Sequence, residues 1–127
     1  MSYSSEQWRA AISKLLKLTS LQKISWSPTD LFKGDAWTEV DRSFKADLND
    51  KSFVVSATRT KYYFDEDEWV WNGGFDLSIF ENIATGQENE CSKIASSPDM
   101  SLISNLFTAA ESNYAFARGA LNDLLKK

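Results

Sequence analysis

WTEVDRSFKADL (residues 37–48), Asn49-Asp50 and KSFVVSATRTKYYF (residues 51–64) together form the stretch that decides the fold. Val40, Phe44, Ala46 and Leu48 share one parity, with Arg42 as the exception, while Glu39, Asp41, Ser43 and Asp47 share the other. A period of two with one apolar face describes a strand buried on one side. Asn and Asp both tolerate positive φ, so Asn49-Asp50 predicts a tight hairpin turn. The segment after it is rich in Val, Thr, Tyr and Phe, which suit a pleated, half-buried surface.

Toward the C-terminus, Asp65-Glu66-Asp67-Glu68 interrupts the apolar pattern. Four adjacent charges are easily solvated and pack poorly, so a second hairpin loop is expected there. A third strand is predicted from Trp69 to Ile83, with Trp69, Trp71, Phe75, Leu77 and Ile79 on one core-facing parity. Asn72-Gly73-Gly74 reads as a turn splitting that strand or a bulge within it. Thr85-Gly86-Gln87 predicts another turn, and Glu90 to Ala95 a short fourth strand. Ser97-Pro98-Asp99 carries helix-start chemistry: Ser as N-cap, Pro at the first position, an acid in the first turn. The spacing of Ile103, Phe107, Ala110, Tyr114, Ala117, Leu121 and Leu124 predicts one helix to Leu125, with Gly119 inside it.

Toward the N-terminus, Trp8, Ala11, Ile12, Leu15 and Leu16 lie on one stripe of a helix expected over Ser5–Thr19, and Ser4 with Gln7 forms a capping-box pattern. Helix, strands, helix in that order implies an α+β fold. The expectation is a single globular domain over residues 1–127. It has an N-terminal helix, a three- to four-stranded antiparallel β-meander and a long C-terminal helix, both helices packed on one sheet face.

The totals narrow the chemistry. The chain of 127 residues has no histidine and one cysteine, Cys91. The usual general base, the Ser-His and Cys-His nucleophile pairs and a structural zinc site are therefore missing. The five glycines fall in neither GxGxxG nor GxxxxGK spacing, so no cofactor is expected. Cys91 lies between Glu90 and Ser92-Lys93, an acid and a base whose effects oppose each other, so no activated nucleophile follows and a half-buried strand cysteine is expected. Glu39 with Asp41, and Glu88 with Glu90, are carboxylate pairs that share a strand face, read here as solvated outer surface. The acidic run has no glycine and no alternating ligand spacing, so no metal site is expected.

The acidic run also carries the charge. The chain has 18 acids and 14 bases, net −4, so without these four acids the two signs balance. The excess argues against direct nucleic-acid binding and for a basic partner. No N-terminal leader pattern is visible, and no apolar run approaches the about 20 residues of a membrane span, so a cytoplasmic protein without membrane contact is expected.

The expected contact surface comprises Asp65, Glu66, Asp67 and Glu68, with Tyr62, Tyr63 and an outward-facing Trp37 as apolar company. Arg59 and Lys61 share parity with Phe53, Val55 and Ala57. A bulge near Thr58 would switch their face. Alternatively the strand outruns the helices, and Arg59, Lys61 and Tyr63 line an open sheet end where a small anionic ligand fits. The leading reading is a small acidic, non-catalytic protein-binding module of the inhibitor or immunity type, bacterial or phage in character. An anionic-ligand binder, a histidine-free enzyme and a homodimer are the alternatives.

Overall fold

A computed structural model describes residues 1–85 and 88–126. The order is α1 (Ser5–Ser20), β1 (Ser27–Pro28), β2 (Thr38–Leu48), β3 (Lys51–Tyr63), β4 (Trp69–Thr85), β5 (Glu88–Ser96), α2 (Leu102–Ala117) and α3 (Asn122–Leu125). The strands form one antiparallel sheet in the order β1-β2-β3-β4-β5. The fold is the expected α+β arrangement. The fifth strand is the two-residue β1, too short to leave a period in the sequence.

Both helices cover one face of the sheet. Trp8, Ile12 and Leu15 of α1 share a core with Ile103, Leu106, Phe107 and Ala110 of α2, closed from below by Phe44, Ala46, Val55 and Leu77. Trp26 joins the helices: its indole N–H donates to Thr19 Oγ1 at 2.9 Å, and its backbone N–H donates to Asn113 Oδ1 at 3.0 Å. Arg42, the polar exception on this face, donates to Glu111 of α2 at 2.6 Å and lies 5.1 Å from the Phe44 ring.

On the opposite face, Ser43, Ser52, Ser56 and Ser78 are buried with Val54 and Phe80. Ser43 and Ser56 hydrogen-bond each other at 2.7 Å, and Ser52 donates to Asp47 at 2.6 Å. The chain after β1 crosses this face: Thr29 N–H bonds to the Ser43 carbonyl, and the Phe32 ring lies 5.5 Å from the Lys93 ammonium of β5.

The C-terminal ends of α1 and α2 are built alike. Each closes in a motif that bonds the last carbonyls through a left-handed residue. Gln22 (φ 58) ends α1, with Gln22 N bonded to Thr19 O and Lys23 N to Leu18 O. Gly119 (φ 67) ends α2, with Gly119 N bonded to Phe116 O and Ala120 N to Ala115 O. Gly119 is therefore a cap and not an interior residue, and the expected single helix to Leu125 is broken there. At the other end, Ser101 and not Ser97 precedes α2. Ser97 extends the sheet through its N–H to the Leu77 carbonyl, and its hydroxyl donates to Pro98 O, so it is not free to cap.

Asn49 takes the expected positive φ of 59 in the first hairpin. Asn72-Gly73-Gly74 is neither turn nor bulge: the three residues pair in unbroken register with Thr60, Arg59 and Thr58. The expected turn at Thr85-Gly86-Gln87 falls on residues 86–87, and the Glu88/Glu90 side chains also lie outside the described set. Cys91 is exposed rather than half-buried, its thiol 2.7 Å from Asn82 Oδ1. Among the described residues no helix is long and apolar enough to cross a membrane.

Candidate functional site

The strands outrun the helices. At about 3.3 Å per residue the 17 residues of β4 reach about 55 Å, whereas the 16 residues of α2 reach about 24 Å. α2 covers β4 as far as Phe75, whose ring lies 5.4 Å from Phe107. Beyond it, among the described residues, no helix lies over the far ends of β2, β3 and β4.

Trp37 enters this tip through a fixed loop. Asp35 Oδ1 accepts the N–H of Trp37 at 2.8 Å and of Thr38 at 2.9 Å. These bonds favour the carboxylate and hold Asp35 below the ordinary carboxylate range. A Cβ on Gly34 would stand 1.9 Å from the Thr38 carbonyl oxygen, so only glycine lets the loop return this closely. Lys61 N–H then bonds to the Trp37 carbonyl at 2.9 Å and ties it to β3.

A β-bulge decides which way Trp37 faces. Val40 pairs with Thr58 and Arg42 with Ala57, leaving Asp41 as the extra residue. The switch lies in β2, not near Thr58 in β3, whose register against β4 is continuous. Strict alternation puts Trp37 and Glu39 on the outer face. The bulge moves them to the helix side, where Glu39 pairs with Arg59. Trp37 remains 57% exposed because no helix reaches it.

The result is a chain of rings on one face. Trp37 meets Tyr63 edge-on at 5.6 Å, Tyr63 lies 6.4 Å from Trp69, and Trp69 meets Trp71 edge-on at 4.9 Å. The parity of Trp69 and Trp71 with Leu77 is as expected, but neither joins the core; Trp69 is 38% exposed. The Lys61 ammonium sits 4.7 Å from the Trp69 ring and 5.7 Å from Trp71, and the Arg59 guanidinium 4.7 Å from Trp71. Arg59 is also paired with Glu39 at 2.9 Å and Asp41 at 3.3 Å. Glu39 and Asp41 therefore hold a cation and are not a bare outer surface.

Asp65 to Glu68 cap the tip as the β3–β4 loop. Phe64 N–H and Asp65 N–H approach the Glu68 carbonyl at 3.2 and 3.4 Å, and Glu66 N–H bonds to Asp65 Oδ1 at 2.7 Å. All four acids are exposed, and among the described residues no basic group pairs with them. No group of three metal-ligating side chains occurs among the described residues. Tyr63 is beside Trp37, whereas Tyr62 pairs with Val70 and points to the other face, 58% exposed. Phe64 was not singled out in the sequence. It is exposed and lines a shallow groove with Trp37, Tyr63, Asp65 and Glu66. Its place between a strand and an acidic loop was the available signal.

Chemically, the tip offers unpaired carboxylates beside exposed ring faces and edges. Such a surface attracts cations over distance and stacks guanidinium or ammonium groups at contact. Comparison of the chain with protein-family models, with curated proteins and with solved structures finds no match.

Proposed function

We propose that the protein is a non-catalytic binding module that engages a basic protein surface through the β3–β4 tip, in the manner of an inhibitor or immunity-type protein acting in the cytoplasm. The carrying observation is the continuous run Trp37–Tyr63–Trp69–Trp71, with Trp37, Tyr63 and Trp69 exposed beside four acids that no described base neutralises. Unpaired charge speeds encounter, and aromatic residues supply most of the contact energy in protein interfaces. A small anionic ligand at Arg59 and Lys61 receives less support, because Arg59 is already held by two carboxylates and Lys61 lies over two indoles.

The test is capture from a lysate of the source cell on immobilised protein, comparing wild type with D65N/E66Q/D67N/E68Q and with Trp37→Ser. A specific basic partner retained by wild type and lost from both variants is expected. Equal retention by all three overturns the reading.

A further inference from the structure

The C-terminal segment presents the complementary chemistry. After Gly119 the chain forms one helical turn, α3, with no buried residue. Leu121, Leu124 and Leu125 stand at helical spacing on one face, and all are exposed, as is Phe116 one turn before the cap. Residues 118–127 contain Arg118, Lys126 and Lys127 against a single acid, Asp123. An exposed apolar turn flanked by bases thus stands on a chain whose tip is aromatic and acidic.

We infer that the C-terminal segment of a second copy docks on the β3–β4 tip. Leu121, Leu124 and Leu125 would lie against Trp37, Tyr63 and Phe64, and the flanking bases would face Asp65 to Glu68. This rests on the reading of the tip as a surface for basic protein segments and names one such segment. The motivation is charge complementarity between two unpartnered parts of one molecule. The Gly119 cap ends α2 before the segment begins, and α3 has no buried residue. Because each copy carries both halves, reciprocal docking about a two-fold axis closes a dimer.

Light scattering across a concentration series tests this with two exposed-surface variants. One is L121S/L124S/L125S; the other is D65N/E66Q/D67N/E68Q with Tyr63→Ser. Thermal melts confirm that both fold. Wild type is expected to rise from 14.4 kDa toward twice that mass. Each variant alone is expected to remain monomeric, and an equimolar mixture to associate again through the one intact tip and one intact tail. Added salt at about 0.5 M is expected to weaken the wild-type association several-fold. Wild type that stays at single-chain mass, or a dimer that survives in either variant, overturns the proposal. So does a dimer broken by Ile94→Asp but not by the tip changes, which would place the tail in the apolar groove between α1 and β5. The leucine variant keeps its tip intact. If it still captures a basic partner while wild type is monomeric, only the self-docking inference fails.

Discussion

Lys61 holds its ammonium 4.7 Å from the Trp69 ring centroid and has no carboxylate partner among the described residues. The charge is instead set over two indoles. An exposed cation–π contact contributes about 0.5–1 kcal/mol. Lys61→Met is therefore expected to lower stability by about that amount in urea unfolding. The change in tryptophan emission should be larger than so small a loss of stability suggests, because Trp69 loses its cation while Trp71 keeps the Arg59 guanidinium.

The left-handed residues give a contrasting pair. Gln22 holds φ 58 at the end of α1, a conformation that costs a residue with a Cβ about 1 kcal/mol relative to glycine. Gln22→Gly is expected to stabilise the protein by up to about 1 kcal/mol, and Gly119→Ala to destabilise it by at least as much. At Gly119 the added Cβ would also stand 2.6 Å from Asn122 Nδ2. Thermal unfolding of the two variants measures both signs.

Glycines inside and before the strands separate in the same way. Gly34→Ala drives a Cβ into the Thr38 carbonyl and must displace the loop that presents Trp37. A loss of about 1–3 kcal/mol and of partner capture is expected. Gly73→Ala meets nothing within 4 Å and removes chain entropy from the unfolded state. It is expected to be neutral or stabilising by about 0.5 kcal/mol in the same unfolding assay.

Asp35 makes the Trp37 loop pH-dependent. Its folded pKa is depressed by the two N–H donors, so its contribution is full above the unfolded carboxylate value. That contribution is lost as pH falls through the folded value. Trp37 emission should hold steady from neutrality to about pH 4 and change only below it. Asp35→Asn keeps an acceptor oxygen and should abolish that acid transition.

These outcomes depend on features of unequal visibility in the sequence. Period-two alternation over residues 37–64 and the helical stripes of α1 and α2 were legible because each side chain reports its own burial. The facing of Trp37 was not, since one extra residue at Asp41 inverts every position before it, and no residue type marks a bulge. Trp69 and Trp71 kept their parity yet lie outside the core. Alternation tells which face a residue occupies but not how far the covering helix extends. The discomfort of Arg59 and Lys61 on an apolar parity was the true sign of that overrun, and Glu39 and Asp41 answer one of the two charges. Gly119 resembled an interior glycine because the apolar stripe continues past it through Leu121 and Leu124, into residues that prove exposed.

The central claim is that the uncovered tip is the contact surface. Backbone hydrogen exchange of the protein, free and with its captured partner, tests it most directly. Slowed exchange is expected at Trp37, in residues 61–71 and in the Asp65–Glu68 loop, with α1 and β5 unchanged. Protection confined to α1, β5 or the second sheet face, with the tip exchanging as in the free protein, would contradict the account.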